Sequence, residues 1–277
     1  MSRLTVEDIQ NKKQRGEKIA MLTAYDYPMA SFIDRAGVDI ILVGDSLAYV
    51  VLGLDSTTKV GMIEMLHHAK AVNRAVQKAM LIGDMPFGSY QKNVKEAVEN
   101  AKRFVEEAGC HAVKLEWFDG CLETVEAIMK AKIPVMGHVG LTPQTAEHLG
   151  GFKVQGQDAE SARLIIQHAK NLEKRGCFAT VLECIPSPLA AMISKELSIP
   201  TIGIGAGPHC DGQVLVTYDA LGLFERFKPK FVKQYVNLGQ AIIDGAKEFC
   251  EDVKNGRFPD ATSSYSMNEK ELEKFRR

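Results

Sequence analysis

The stretch DIILVGDS, residues 39–46, holds a continuous apolar run that ends in Gly, Asp and Ser. Such a run, without alternating polar residues, is typical of a strand buried on both faces of a parallel sheet. Seven further runs of this kind are found in the chain: KIAMLTAYD (18–26), AMLIGDMP (79–86), HAVKLEW (111–117), IPVMGHVG (133–140), FATVLEC (178–184), IPTIGIGAG (199–207) and GQVLVTYD (212–219). Helical patterns separate most of them, notably in residues 61–78, 93–108 and 158–175.

Eight strands that alternate with helices predict an α/β fold in which one (β/α)8 TIM barrel closes on itself. The 277 residues agree with the roughly 250 residues that such a barrel needs. We therefore predict a single barrel domain over residues 1–277, with a capping helix in residues 1–17 and helices plus a polar tail in residues 228–277. The first of these C-terminal helices is predicted to be amphipathic and to span Lys228 to Lys254. Thr142-Pro143 and Ser187-Pro188 each predict a helix that starts with an N-cap followed by proline. A doubly wound open sheet is the alternative fold.

The composition excludes several classes of protein. Lys and Arg total 34 against 35 Asp and Glu, a net charge of −1, which argues against nucleic acid or an anionic membrane as partner. No apolar run approaches the roughly 18 residues of a membrane-spanning helix, and the polar N-terminus does not resemble a secretory signal. The 6 cysteines form no CxxC pair and read as reduced thiols. We expect a cytoplasmic protein that acts on small molecules.

Acidic residues stand at the ends of several predicted strands. In a barrel of this kind the active site lies at the carboxyl ends of the strands, so these side chains are expected to meet at one mouth. The acids at the ends of strands two, three, four and six are Asp45, Asp84, Glu116 and Glu183. Converging carboxylates repel each other unless a cation or a proton is present. Mg²⁺ is the simplest cation here, because no cysteine or histidine pair accompanies the oxygen ligands.

The remaining polar residues at strand ends allow two interpretations each. Lys114 stands two residues before Glu116, so both side chains share one face of a strand. They form either a structural ion pair or, as we favour, an anion-holding lysine beside a metal-holding glutamate. His138 ends strand five, where a contact to a substrate and a purely structural role are equally supported. For Asp26 and Asp219 we expect capping or turn roles.

Eight strings along the chain resemble one known family. They are MLTAYDYP (21–28), ILVGDSLAYVVLG (41–53), DMPFGSY (84–90), AVKLE (112–116), GHVGLTPQ (137–144), LEC-P (182–186), SIPTIGIGAG (198–207) and DGQVLV (211–216). In this order and at these spacings they are similar to the ketopantoate hydroxymethyltransferase family, over about residues 5–260. The resemblance implies a barrel of the phosphoenolpyruvate/pyruvate type that assembles as a homodecamer. It also implies transfer of a hydroxymethyl group from 5,10-methylenetetrahydrofolate to 3-methyl-2-oxobutanoate, giving 2-dehydropantoate in pantothenate biosynthesis.

The resemblance also implies roles for individual residues. Asp45 and Asp84 match the ligands of the family's Mg²⁺ ion, and Glu116 matches a third acidic ligand that often acts through water. The residues matching those that contact the keto acid are Asp45, Ser46, Asp84 and Lys114. Glu183 matches the proton acceptor, and His138 is a possible secondary residue. Trp117, Tyr218 and Tyr265 depart from the family pattern, which leaves peripheral contacts open.

Two other functions remain as alternatives at this point. The first is a Mg²⁺-dependent lyase or mutase that acts on a C–C or C–P bond of a 2-oxo or 2-hydroxy acid. Such lyases commonly carry a catalytic cysteine loop, which is not found near strand four. The second is a non-catalytic barrel that binds a metal-chelated keto acid, but a pure binder has no need of Glu183 beside the other acids.

Overall fold

Eight parallel strands form the centre of the molecule. The computed structural model describes residues 3–276, apart from the side chains of residues 147–149. The strands pair in sequential order, and β8 pairs with β1, which closes the barrel and makes the open-sheet alternative wrong. Their bounds are β1 Ile19–Thr23, β2 Ile40–Val43, β3 Met80–Asp84, β4 Ala112–Lys114, β5 Val135–Gly140, β6 Ala179–Glu183, β7 Thr201–Ile204 and β8 Gly212–Leu215. Each lies within one of the eight predicted runs.

Helices surround the barrel and follow it. The α-helices are α1 Val6–Gln14, α2 Tyr27–Arg35, α3 Leu47–Val50, α4 Met62–Asn73, α5 Val94–Glu106, α6 Cys121–Lys130, α7 Ala159–Lys174, α8 Ser187–Glu196, α9 Thr217–Ala220, α10 Leu238–Lys254 and α11 Glu269–Phe275. Two 3-10 helices span Thr57–Lys59 and Pro143–Leu149. The three predicted inter-strand helices correspond to α4, α5 and α7. Within the described chain, no helix is both long and apolar enough to cross a lipid bilayer.

Two predicted helix starts differ from the structure. The N-cap of α8 is Pro186, so Ser187 is already helical and does not cap. Pro188 is tolerated one position further in because the first N–H groups of a helix have no intrahelical partner. The C-terminal helix begins only at Leu238, where the Asn237 side chain accepts from the backbone N–H of Gln240.

The short N-terminal helix closes one end of the barrel. Thr5 and Asp8 form a capping box in which each side chain accepts from the other residue's backbone N–H. Ile9 of α1 is fully buried and belongs to the same apolar cluster as Ile19, Met21 and other residues of the barrel interior. Because α1 covers this end, the mouth at the carboxyl ends of the strands is left for a site.

The glycine that precedes Asp84 is a tight packing point. A Cβ atom on Gly83 would lie 2.3 Å from Cδ1 of Phe104 in α5. We expect Gly83→Ala to destabilise the protein by about 1–3 kcal/mol, since the ring has to shift. Urea denaturation measures this effect.

Gly245 offers a matched control within the exposed helix α10. Nothing lies within 4 Å of a Cβ atom placed there, so Gly245→Ala should stabilise the helix by about 0.5–1 kcal/mol. A neutral or stabilising effect of Gly83→Ala would show that Phe104 does not pack closely against β3.

Candidate active site

A cavity of about 650 Å³ lies at the carboxyl end of the barrel. Asp84 and Glu183 end β3 and β6, whereas Asp45 and Glu116 follow β2 and β4 by two residues. All four acids line this cavity, together with Ser46, Lys114 and His138. The predicted convergence of the four carboxyl groups at one mouth is therefore confirmed.

One lysine lies deep in this acidic group and pairs with Asp84. Nζ of Lys114 lies 2.7 Å from Oδ1 of Asp84, and both side chains are buried. Oδ2 of Asp84 accepts a long hydrogen bond, 3.4 Å, from the backbone N–H of Asp45. Burial opposes the charge of Lys114, but the charges of Asp84, Glu116 and Asp45 outweigh it and raise the pKa of this lysine. Lys114 therefore stays cationic at neutral pH, with Asp84 and not Glu116 as its ion-pair partner.

The Asp45 carboxylate is only partly satisfied by hydrogen bonds. Burial, and then the charge of Asp84, raise the pKa of Asp45 to about 7. Nε2 of Gln144 donates to Oδ2 of Asp45 at 3.0 Å, and among the described residues no donor reaches its other oxygen. The cluster thus holds more acid than Lys114 neutralises.

A buried network that the sequence did not predict holds Glu116 and Asp45 in place. The backbone N–H of Gln144 donates to Oε2 of Glu116 at 3.0 Å, while the Tyr90 hydroxyl donates to Oε1 of Gln144 at 2.6 Å. The backbone N–H of Glu116 donates to the same hydroxyl at 3.2 Å. Burial raises the pKa of Glu116 well above its usual value. The one sequence signal for Gln144 is its place at the end of the GHVGLTPQ string, just after β5.

His138 lies between two acids. Its Nε2 is 3.3 Å from Oε2 of Glu183, and its Nδ1 is 3.7 Å from Oε1 of Glu116. Neither ring nitrogen makes a hydrogen bond of acceptable geometry with any described residue, although both are buried. Burial lowers the pKa of His138, so the ring is neutral. A buried polar group without a partner indicates that a ligand or water completes it.

Of the four acids at the strand ends, Glu183 is the most exposed, with 16% of its side chain exposed against 2% for Asp84. Gly140 allows the end of β5 to approach it. This glycine has φ +97°, and a Cβ atom there would lie 2.3 Å from the carbonyl oxygen of Glu183. Any other residue would displace the backbone that carries Glu183.

The donor set fits a hard divalent cation held by few protein ligands. Asp45 and Asp84 offer adjacent carboxylate oxygens, and one lysine leaves their combined charge in excess. In the part of the chain that the structure describes, no three His, Cys, Asp or Glu side chains form a compact metal-binding group. This arrangement suits Mg²⁺, which commonly binds one or two carboxylates and keeps water or substrate oxygens elsewhere.

Residues from β1, β2 and β8 complete the wall. The hydroxyls of Ser46 and Tyr25 lie 2.8 Å apart. Asp26 caps α2 as predicted, since its side chain accepts from the backbone N–H of Met29. The capping prediction for Asp219 is wrong: α9 has Val216 at its N-cap, and Asp219 lies inside this helix and lines the cavity. The helix starts one residue after Val216, which turns Asp219 toward the mouth.

The barrel resembles solved structures of low sequence identity. Phosphonopyruvate hydrolase in complex with oxalate and Mg²⁺ matches with a TM-score of 0.61 and 12% identity, over 94% of this chain and 93% of the other. 2,3-Dimethylmalate lyase, described as a PEP mutase/isocitrate lyase superfamily member, matches with a TM-score of 0.59 and 14% identity, over 98% and 94% of the chains. These likenesses show that the fold is a TIM barrel.

Sequence relatives are much closer. The 3-methyl-2-oxobutanoate hydroxymethyltransferase of Syntrophomonas wolfei subsp. wolfei is 53% identical over 274 residues, 99% of each chain. The protein of the same name from Moorella thermoacetica is 54% identical over 264 residues, 95% of this chain and 98% of the relative. The family model for ketopantoate hydroxymethyltransferase matches residues 3–261. The chain therefore belongs to the ketopantoate hydroxymethyltransferase family, whose members are one-carbon transferases.

Proposed function

We propose that the chain transfers a hydroxymethyl group from 5,10-methylenetetrahydrofolate to 3-methyl-2-oxobutanoate, giving 2-dehydropantoate in pantothenate biosynthesis. The observation that carries this proposal is the group of four acids and Lys114 around one cavity, in a chain of this family. The family membership disfavours a C–C or C–P lyase, and nothing in the described site favours a non-catalytic role.

Asp45 and Asp84 are the residues that would hold the divalent cation, Mg²⁺ or a similar ion. Glu116 would act through water, because one of its oxygens already accepts from Gln144. When bound, Mg²⁺ acts as a Lewis acid that polarises the keto group of the substrate.

Lys114 and Ser46 are the groups of this chain that would hold the keto acid. The Lys114 ammonium lies beside Asp84 and carries a full positive charge into a buried site, which suits a carboxylate ligand. Ser46 lines the same cavity, with its hydroxyl against Tyr25. Together they orient the acid so that its C3 carbon is presented to the base.

Glu183 would remove the C3 proton. Its carboxylate is the least buried of the four acids at the strand ends, and its close neighbour is the neutral ring of His138. The electron pair left on C3 then forms a bond to the one-carbon unit of the folate. Overall, both C–N bonds to that unit break, a water molecule supplies the hydroxyl group of the product, and the two folate nitrogens take up one proton each. The buried ring of His138, with Nε2 at 3.3 Å from Oε2 of Glu183, would restrict by packing the directions in which this carboxylate can point, which makes His138 a positioning residue.

A two-part assay tests the proposal. Incubation of the protein with 3-methyl-2-oxobutanoate and Mg²⁺ in deuterated water should exchange the C3 hydrogen, as followed by proton NMR. Addition of 5,10-methylenetetrahydrofolate should then give 2-dehydropantoate. Absence of both reactions would contradict the proposed function and favour a binding role or a different substrate.

We also propose that the chain acts as a homo-oligomer in the cytoplasm, with a homodecamer implied by the family resemblance. Helix α10 supports self-association, because it has no buried residue and exposes Ile242, Phe249 and Val253. Six free cysteines support a reducing compartment. The molar mass measured by light scattering distinguishes a homo-oligomer from a monomer.

A further inference from the structure

The cavity is larger than the keto acid alone requires. Its volume of about 650 Å³ is within the range of roughly 300–1,000 Å³ that buries a drug-sized ligand. A small branched keto acid at the acidic group would leave most of this space empty. The outer part of the cavity is therefore available for a second molecule.

Aromatic side chains surround this outer part. We call them the aromatic rim; they are Tyr49, Phe152, Phe224, Phe227 and Phe231. The rings of Phe224 and Phe227 lie 5.1 Å apart, and those of Tyr49 and Phe227 lie 5.9 Å apart, both edge to face. Phe227 is 52% exposed and Phe152 is 65% exposed. Exposed aromatic residues that cluster at a cavity mouth are typical of a ligand site.

Four of the five residues of the aromatic rim follow one side of the barrel, whereas Phe152 belongs to the segment after β5. Tyr49 lies after β2, and Phe231 lies over the loop after β7, where a Cβ atom on Gly205 would be 2.8 Å from its ring. Between these two strands the barrel order places β8 and β1. Asp219 follows β8, so its carboxylate lines the cavity between the two ends of the rim.

Asp219 has no role in the mechanism above and no partner of its own. It is half-buried, and within the described chain no side chain or N–H group donates a hydrogen bond to its carboxylate or forms an ion pair with it. Burial alone raises the pKa of Asp219 to about 6. A partly buried carboxylate that lacks donors is suited to a ligand that brings N–H groups.

We propose that Asp219 and the aromatic rim bind the reduced pterin ring of the folate co-substrate. The 2-amino group and the neighbouring ring N–H of a pterin form a pair of adjacent donors that match the two oxygens of one carboxylate. The flat face of the pterin would pack against the rings of Phe224 and Phe227. This inference rests on the proposed function, because it assigns the second substrate of the same cavity.

Two variants and two readouts test the inference. With keto acid saturating, Asp219→Asn should raise the KM for 5,10-methylenetetrahydrofolate about 10- to 100-fold, since it loses a charge and one acceptor. Phe227→Leu, a change at an exposed side chain, should raise the same KM about 2- to 10-fold. Folate-independent exchange of the C3 hydrogen should stay within about twofold of the unaltered protein in both variants.

Asp55→Asn is the matched control. Asp55 also lines the cavity and loses the same charge, but its side chain is 76% exposed and already paired with Lys59. Its KM for the folate should not change. An unchanged KM in Asp219→Asn, or a parallel loss of exchange in that variant, would overturn the inference. If Asp219→Asn does not fold, an unchanged KM for the folate in Phe227→Leu overturns the inference. If the unaltered protein catalyses neither C3 exchange nor hydroxymethyl transfer, the proposed function is contradicted instead.

Discussion

We expect Glu183→Gln to lower both C3 exchange and hydroxymethyl transfer by about 10²- to 10⁴-fold, the usual contribution of a general base. Glutamine keeps the shape of the side chain but cannot accept the proton. Glu183 makes no ion pair with Lys114, so its loss leaves the buried Asp84–Lys114 pair intact. Folding and keto-acid binding are therefore expected to persist, and the loss falls on kcat.

Proton NMR in deuterated water measures the exchange rate, and calorimetry with 3-methyl-2-oxobutanoate and Mg²⁺ measures binding. Glu160→Gln is a control for the change in chemistry, since Glu160 is an exposed residue in the first turn of α7. It should keep full activity. Should Glu183→Gln turn over at the unaltered rate with saturating substrates, another residue is the base.

Much of this site was predictable because the ends of the strands can be recognised in the amino-acid sequence. The runs that end at Asp84 and Glu183 are apolar and end in an acid, and a parallel barrel brings such ends to one mouth. Neither acid competes well as a helix cap in those positions: Asp84 is the last residue of its strand, and Glu is a poor N-cap. Burial pattern and topology together were enough to place these two residues.

Other parts depend on contacts that no local pattern encodes. Gln144 reaches Asp45, Glu116 and Tyr90 from the 3-10 helix after β5, and only the closed barrel brings these loops together. The capping role predicted for Asp219 was wrong because it requires a helix that starts after this residue. Helix α9 starts earlier, at Thr217, so Asp219 lies within its first turn. Residues 228–237 share the amphipathic character of α10, yet the chain there is not helical and places Phe231 over the mouth.

We expect Asp45→Asn to abolish Mg²⁺ binding and, at the same time, to stabilise the metal-free protein at high pH. The pKa of Asp45 in the folded state is about 7, above the value of about 3.9 in an unfolded chain. The folded protein therefore favours the protonated form. The free energy of unfolding falls as the pH rises from about 4 to about 7, and above the folded pKa of about 7 the full penalty of the ionised carboxylate remains. Asparagine removes this penalty while still offering an oxygen to Gln144.

The stabilisation should be largest near pH 8, according to the folded pKa of about 7, and should fade as the pH falls toward about 4. Urea denaturation in the presence of a chelator measures it, and titration calorimetry with Mg²⁺ measures the loss of the cation. Asp84→Asn is the contrasting variant: it also loses the cation, but it leaves Lys114 buried without its partner and should destabilise by about 3–5 kcal/mol. Unchanged Mg²⁺ binding in Asp45→Asn would remove Asp45 from the ligand set. A loss of stability in that variant at pH 8 would mean that the carboxylate's bond to Gln144 outweighs its repulsion from Asp84, and that the cluster does not need a cation to offset its charge.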